Sequence, residues 1–236
     1  MTMPKYKKVL LKLSGEALLN GKKDGIIDFD FVDTLAKQIK RCVDEGVSMG
    51  IVIGGGNIWR GAGKEINRTR ADHMGMLATV INSLAVQSVL EDNGVDARTM
   101  TALQMNQIAE PYIRNRAVSH MEKGRVVIIA CGSGNPYFST DTAAVLRAAE
   151  IGAEVVLFAK NIDGVYSADP KKDPNAVKYD EMKYDDIIHN DLTVIDSTAS
   201  TFGRDNKLPI LIFGLNDPEN IYRAINGESI GTIVHI

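Results

Sequence analysis

The sequence lacks the features that mark several classes of protein. Its 27 Lys and Arg face 30 Asp and Glu, a net charge of −3, so the basic surplus of a nucleic-acid-binding protein is missing. Two cysteines, Cys42 and Cys131, cannot build a disulfide framework and are typical of a reducing compartment, which predicts the cytoplasm. Residues 74–90, the longest stretch without Lys, Arg, Asp, Glu or His, are too short and too polar for a bilayer span. The N-terminus lacks the apolar length of a signal peptide. We therefore expect neither a nucleic acid nor a membrane as partner.

What is present is an alternation of strands and helices. Apolar runs predict strands, and apolar residues at i, i+3 and i+4 predict helices. The predicted strands are 9–13, 49–53, 126–130, 155–158 and 208–213, with 232–236 as a last edge strand. The predicted helices are 31–43, begun by Asp28 or Asp30 and ended by Gly46, then 73–92 and 141–149. Apolar strands separated by helices indicate an α/β fold, a mainly parallel sheet sandwiched between helices. No linker divides residues 1–236, so we expect a single domain, within which two lobes remain compatible.

Polar and glycine-rich clusters follow four of the predicted strands. They are KLSG at 12–15, GGGN at 54–57, CGSGN at 131–135 and KNIDG at 160–164. Ligands of parallel sheets bind beyond the carboxyl ends of the strands, and glycine lets backbone N–H groups approach an anion closely. Any one cluster can be an ordinary tight turn, but four on one sheet edge, with Lys12, Arg60 and Lys160, favour a polyphosphate site. The Walker, dinucleotide and protein-kinase motifs are absent from the sequence.

Six segments together resemble the uridylate kinases, a branch of the amino-acid kinase superfamily. In chain order they are VLLKLSGEALL (9–19), IGGGNIWRGAG (53–63), DHMGM (72–76), GSGNPYFSTDTAA (132–144), DGVYSADP (163–170) and NKLPILIF (206–213). The resemblance runs from about Val9 to the C-terminus. The first two segments are shared across the superfamily, whereas 72–76 and 134–140 are specific to the uridylate branch.

The resemblance implies transfer of a phosphoryl group from ATP to UMP, giving ADP and UDP, with Mg²⁺ carried by ATP rather than by protein ligands. It assigns catalysis to Lys12 and Arg60, which would hold the transferring phosphoryl oxygens, and to Asp141, which would orient the lysines. The implied ATP-binding residues are Lys12, Leu13, Ser14, Gly15, Gly56, Arg60, Lys160, Asn161, Tyr166 and Asp169. Either Lys160 or Asn161 would make the ATP contact there, because this turn varies in the family.

The acceptor site is implied in the same way. Gly55 would face the UMP phosphate, and Asp72 would accept hydrogen bonds from the ribose hydroxyls. A following loop would wrap the uracil and the phosphate: Ser133, Gly134, Asn135, Pro136, Tyr137, Phe138, Ser139 and Thr140. Ser133 stands where the family often has threonine, and the exchange keeps the hydroxyl.

The family is typically hexameric, activated by GTP and inhibited by UTP. The resemblance therefore implies a homohexamer and both effectors for this chain. The segment linked to GTP activation would be Asn20, Gly21, Lys22, Lys23, Asp24 and Gly25, which by itself is typical of a hairpin turn or loop. A flat response of the rate to GTP would remove this hypothesis.

Simpler interpretations stay open for individual residues. Asp141 can be the N-cap of its helix, Asp72 can cap the helix after it, and Tyr166 can be a packing residue. Cys131 is better explained as core than as a nucleophile. The methionines of 74–90 are explained by packing, including packing at a subunit interface.

Two other functions also remain open for the chain. The first is another kinase of the superfamily, acting on a carboxylate or carbamate, although the 72–76 and 134–140 motifs and the short length argue against it. The second is a non-catalytic nucleotide or oxometalate-binding protein, as in a molybdenum storage protein of the superfamily. Such a protein should have lost Lys12, Arg60 or Asp141, and all three are present.

Overall fold

A central sheet of mainly parallel strands organises the molecule. The computed structural model describes residues 3–61, 65–168, 170, 172–190, 192 and 194–236. Within these residues nine strands pair in the order β4-β3-β5-β2-β1-β6-β10-β11-β9. They are β1 (Lys8–Leu13), β2 (Ser48–Ile53), β3 (Ala97–Thr101), β4 (Glu110–Pro111), β5 (Val126–Ala130), β6 (Val155–Lys160), β9 (Glu181–Lys183), β10 (Ile210–Gly214) and β11 (Gly231–His235). The β10–β11 pair is antiparallel and the other pairs are parallel, which confirms the predicted fold class.

Helices cover both faces of this sheet. They are α1 (Phe29–Asp44), α2 (Arg68–Asp92), α3 (Arg114–Glu122), α4 (Thr140–Ile151), α5 (Tyr184–His189), α6 (Ser197–Asp205) and α7 (Asn220–Ile225). One buried apolar layer contains α1, α7 and the C-terminal part of α2, and the other contains α3, α4, α5 and α6. Successive side chains of a strand point to opposite faces, so Leu11 and Leu13 lie in the first layer and Leu10 in the second. The fold is thus an α/β/α sandwich.

Helix α1 follows its predicted pattern closely. Leu35, Ala36 and Ile39 are buried at the expected i, i+3 and i+4 spacing. Of the two candidate caps, Asp28 is the one used: its side chain accepts a hydrogen bond from the backbone N–H of Phe31 at 3.3 Å. Gly46 ends the helix with a φ of +86°, a conformation that glycine adopts without strain.

Two predicted boundaries and one position in the sheet are wrong. Helix α2 begins at Arg68 rather than at residue 73, because the side chain of Asn67 caps it within a polar segment that carries no apolar period. Helix α4 begins at Thr140 with Ser139 as its cap, so Asp141 is not the N-cap. Strand β11 is not an edge strand, since β9 pairs along its outer side.

The elements that the sequence did not predict are short or partly polar. An antiparallel pair joins β7 (Val165–Tyr166) to β8 (Lys178–Tyr179), and β9 follows. A 3-10 turn, Gly15–Leu19, follows β1. By length and composition α2 could cross a membrane, in contrast to the prediction from 74–90 alone, but half of the qualifying segment is buried inside the protein, as in core helices.

Candidate active site

The four glycine-rich clusters lie along one edge of the sheet. Strands β5, β2, β1 and β6 are neighbours and run parallel, so their carboxyl ends lie side by side. This arrangement confirms the shared edge that the sequence predicted. It also places Lys12, near the end of β1, next to Lys160, the last residue of β6.

Asp141 lies between the two lysines and pairs with both. Its carboxylate oxygens are 2.6 Å from Lys12 Nζ and 2.9 Å from Lys160 Nζ. The three side chains are 8%, 15% and 18% exposed for Lys12, Asp141 and Lys160. Both ammonium groups also approach the ring of Phe158, at 5.9 Å and 5.2 Å from its centre, and Lys160 donates to the carbonyl of Val194. The result is a mostly buried cluster with a net positive charge.

The environment of this cluster shifts the pKa values of Asp141 and Lys160. Burial opposes the ionised form of Asp141, but the charges of Lys12 and Lys160 outweigh burial, and the pKa of Asp141 lies below its ordinary value. Burial lowers the pKa of Lys160, the positive charge of Lys12 lowers it further, and Asp141 offsets these effects only in part. Asp141 is therefore an anion at neutral pH, with both oxygens occupied by lysines.

The N-cap of helix α4 is Ser139, which leaves the Asp141 carboxylate free to pair with both lysines. Ser139 Oγ accepts hydrogen bonds from the backbone N–H groups of Asp141 and Thr142, at 3.0 and 3.1 Å. Asp196 holds this cap, because it accepts from Ser139 Oγ and from Thr142 Oγ1 while its Oδ1 caps α6 through the N–H of Ala199 at 2.7 Å. Asp196 is not among the predicted site residues, because its only signal in the sequence is its place before a short helix.

The glycine loops after β1 and β2 are in direct contact. A Cβ on Gly15 would lie 2.6 Å from the carbonyl oxygen of Gly54 and 2.8 Å from the nitrogen of Gly56, so only glycine fits there. The N–H of Gly54 donates to the carbonyl of Leu13 at 2.9 Å. Ser14 Oγ caps the 3-10 turn by accepting from the N–H of Ala17 at 3.1 Å. Gly15 and Gly54 are buried where the two loops meet, whereas Gly55 and Gly56 are partly exposed.

A cavity of about 180 Å³ opens beyond these loops. It is lined by seven of the ten residues that the resemblance assigns to the acceptor: Gly55, Asp72, Ser133, Asn135, Phe138, Ser139 and Thr140. Pro136, Tyr137 and Gly134 of the same loop do not line it. Trp59, Gly56 and Cys131, among others, complete the wall. Cys131 is buried, and burial raises the pKa of its thiol, in agreement with a core residue.

Asp72 joins helix α2 to the loop of residues 133–139. It lies inside α2, so it does not cap that helix. Its two carboxylate oxygens are 3.0 and 2.9 Å from Arg68 Nε, and Oδ2 also accepts from the N–H of Tyr137 at 2.8 Å. Tyr137 is exposed and has a φ of +72°, and Arg68 lies 5.5 Å from the centre of its ring.

The residues predicted for the adenine nucleotide fall into different places. Tyr166 lines a cavity of about 360 Å³ together with Ile162, Leu192 and Val194, and its hydroxyl donates to Asp163 Oδ1 at 2.8 Å. Asn161 lines another cavity, of about 250 Å³, with Glu16 and Asn20. Asp169 lies outside the described residues.

Two further predicted groups are tied by ion pairs. Arg60 is exposed and pairs with Glu16 of the 3-10 turn. In the 20–25 segment, Lys22 Nζ is 2.6 Å from Asp28 Oδ1, and Asn20 Nδ2 is 3.4 Å from Asp28 Oδ2. Gly21 and Gly25 have positive φ values of +74° and +88°, which fits a turn.

A parallel α/β sheet with glycine loops, two lysines and an ionised aspartate on one edge defines an enzyme that handles phosphate groups. Comparison with known proteins gives the family: residues 7–214 match the model of the amino acid kinase family. The chain belongs to this family.

Solved structures of related proteins cover nearly the whole chain. A UMP kinase from Bacillus anthracis is 39% identical with a TM-score of 0.93, covering 98% of this chain and 96% of its own. A UMP kinase from Ureaplasma parvum is 35% identical with a TM-score of 0.93, covering 98% and 100%. A uridylate kinase from Archaeoglobus fulgidus is 30% identical with a TM-score of 0.75, covering 96% and 99%.

Proposed function

We propose that this chain is a UMP kinase, which transfers the γ-phosphoryl group of ATP to UMP in pyrimidine nucleotide synthesis. The observation that carries the proposal is the Lys12–Asp141–Lys160 cluster at the edge where an acceptor cavity opens. The full-length likeness to UMP kinases from Bacillus anthracis and Ureaplasma parvum supports the same reaction.

In this reaction an oxygen of the UMP phosphate attacks the γ-phosphorus of ATP. The bond between that phosphorus and the β–γ bridging oxygen breaks, and ADP leaves with the electron pair. Such a transfer needs positioning and neutralisation of charge more than covalent help from the protein. Lys12, Lys160 and Arg60 supply positive charge, and the N–H groups of Gly15 and Gly56 contact the phosphates. Arg60 would exchange its partner Glu16 for phosphoryl oxygens.

Asp141 acts as an orienting group and not as a base. The UMP phosphate is already ionised at neutral pH, so no proton has to be removed. The lowered pKa of Asp141 and the two lysines on its carboxylate fit this role. Its loss would leave the two lysine charges facing each other.

Mg²⁺ enters with ATP in this proposal. Across the described residues, no group of three or more His, Cys, Asp and Glu side chains is placed to hold a metal ion. The lysines and backbone N–H groups on the edge would bind phosphate oxygens, and the metal would be held by the phosphates of ATP. The ion would supply charge neutralisation on the phosphates when bound.

Each half of the chain would bind one of the two substrates. The acceptor cavity, built mostly from the first half and the loop before α4, would bind UMP, with Asp72 on the ribose and residues 133–140 around the base and phosphate. The second half, with Tyr166 stacking on adenine, would bind ATP, and Asp169 keeps the ATP-binding role that the resemblance implies. Lys160 serves the reaction centre, and Asn161, which faces another cavity, is the weaker ATP contact.

Assembly and regulation are parts of the same proposal. Met74, Leu77, Ile81 and Leu84 form an exposed apolar stripe on α2 at helical spacing, which supports a subunit contact within a cytoplasmic homohexamer. GTP would activate through the 20–25 segment, and UTP would inhibit. A plot of rate against GTP concentration tests this part, and a flat line removes it.

The decisive experiment is ADP release from Mg-ATP with single acceptors. UMP, CMP, dUMP, carbamate, aspartate, glutamate and acetylglutamate are offered separately. Release with UMP far above the other acceptors supports the proposal. Release with an amino acid or carbamate keeps the ATP half and refutes the UMP half. Silence with every acceptor despite ATP binding would favour a storage or regulatory protein.

A further inference from the structure

Two asparagine amides meet behind the phosphate-binding loops. Asn82 lies on α2 with no exposed surface, and Asn57 follows the triple glycine of 54–56. Asn82 Nδ2 donates to Asn57 Oδ1 at 2.7 Å, and Asn57 Nδ2 donates to Asn82 Oδ1 at 3.0 Å. Each of the two amides therefore donates one hydrogen bond to the other.

The remaining donors of both amides hold the backbone of two loops. Asn82 Nδ2 also donates to the carbonyl of Gly54 at 2.8 Å, and Asn57 Nδ2 donates to the carbonyl of Ile26 at 2.7 Å. A side-chain amide carries two N–H donors, and all four donors of the pair are used. The network is buried at Asn82 and partly buried at Asn57, and because every amide donor is satisfied, it favours one arrangement of the groups that it joins.

The group that this network holds is the junction of the two glycine loops. Asn57 Oδ1 lies 2.4 Å from where a Cβ of Gly15 would stand, so the amide supports the loop after β1 from behind. Gly54, whose carbonyl Asn82 binds, is joined to the end of β1 through Leu13. Gly55 is pressed against α2, where a Cβ would come within 2.8 Å of the carbonyl of Gly75.

We infer that Asn82 and Asn57 are positioning residues for phosphoryl transfer. They touch neither substrate, but they set the distance between the N–H groups of Gly15 and Gly56 and the ammonium group of Lys12. The inference rests on the proposed function, since it concerns the same phosphate-binding loops. A displacement of about 1 Å at such a site can lower a rate about 100-fold.

The alternative is that the pair only stabilises α2 against β2. A matched control on the same helix separates the two roles. Asn93, the C-cap of α2, also uses its side-chain amide, with Nδ2 at 2.8 Å from Asp33 Oδ1 and 2.9 Å from the carbonyl of Val89. It anchors α2 to α1, outside the set of residues that line the acceptor cavity.

The test compares Asn82→Ala, Asn57→Ala, the double variant and Asn93→Ala in the full-length protein. We measure kcat with UMP, the Kd for Mg-ATP by calorimetry and the thermal midpoint, at a temperature where each variant is folded. We expect kcat of Asn82→Ala and Asn57→Ala to fall about 10- to 100-fold with weaker Mg-ATP binding. The double variant should be little worse than either single one, because the two amides act as one unit. Asn93→Ala should lose thermal stability with kcat and Kd unchanged.

The inference is overturned if Asn82→Ala and Asn57→Ala lose stability but keep the wild-type kcat and Kd. Should Asn82→Ala not fold, the partly exposed Asn57 carries the comparison through Asn57→Ala and Asn57→Ser. A wild-type protein inactive with UMP would refute the proposed function instead. The Kd for Mg-ATP then still tests the pair, since the loops bind phosphate whatever the acceptor is.

Discussion

Replacing Asp141 with asparagine removes one charge from between two lysines while keeping the size of the side chain. Where the carboxylate oxygens lie 2.6 and 2.9 Å from the two ammonium groups, the amide can accept from one ammonium group through Oδ1, while the other faces Nδ2, which is itself a donor. Removing one partner of a buried ion pair costs about 3 to 5 kcal/mol. Because Asp141 is 15% exposed, we expect a loss of unfolding free energy near the lower end, about 3 kcal/mol.

The effect on turnover should be larger than the effect on UMP binding. Loss of one well-placed donor to a developing charge lowers kcat by about 100- to 1,000-fold, and Asp141 positions two such donors. Asp141 is not among the residues that line the acceptor cavity, so KM for UMP should change by no more than about threefold. A coupled ADP-release assay with variable UMP measures both constants, and urea unfolding measures the stability.

Asp185→Asn is the matched control. Asp185 also lies in the first turn of a helix, α5, but its side chain is 60% exposed and its partner Arg204 is 3.1 Å away at the surface. Its effect on the helix dipole contributes about 0.3 to 1 kcal/mol of stability, and its partner is Arg204 rather than Lys12 or Lys160, so this variant should keep its kcat. If Asp141→Asn turned over UMP at a rate close to that of wild type, the orienting role would be wrong.

Three further expectations concern other parts of the site. Asp72→Asn should raise KM for UMP about 10- to 100-fold and reduce the preference over dUMP, because a charged acceptor for ribose hydroxyls is lost; equal KM values with both enzymes would contradict this. ATP binding should be accompanied by proton uptake at alkaline pH, between the lowered pKa of Lys160 and the ordinary lysine pKa of 10.5, because the phosphates favour the ammonium form of Lys160. Calorimetry in two buffers of different ionisation enthalpy measures this uptake, and Lys160→Gln should abolish it. Gly55→Ala should abolish activity or folding, because its Cβ would meet Gly75 at 2.8 Å, whereas Gly56→Ala, with 3.8 Å of room, should keep the fold, as circular dichroism would show.

The sequence predicted the centre of the fold better than its periphery. Strands such as Val126–Ala130 and the helix around Leu35 have strong apolar periods, and the structure places both as expected. Helix α3 buries only Ala117 and Met121 and has no such period. Strand β3 contains Thr99, which is polar although buried, and a single strand of this kind cannot be recognised without its neighbours.

The sheet edge of the candidate site could be predicted from the sequence, but the contacts between distant segments that hold it could not. Glycine clusters after parallel strands indicate a phosphate edge, because strand direction alone brings them together. Contacts between distant segments are different. The bond from Asp196 to the cap of α4 joins residues 54 positions apart, and the Asn57–Asn82 pair joins a loop to the interior of a helix. Neither leaves a local pattern, so only the folded chain reveals them.

The order of the strands divides the sheet into two parts, which meet at one seam where β1 pairs with β6. Residues 8–130 supply β4, β3, β5, β2 and β1, whereas β6, β10, β11 and β9 come from residues 155–235. Strand β1 pairs with β6 across this seam, although Val9 and Val155 are far apart in the chain. While the ribosome is still making the second half, β1 therefore has a free apolar edge. A nascent chain of this kind should bind chaperones or associate with its neighbours until β6 emerges and closes that edge.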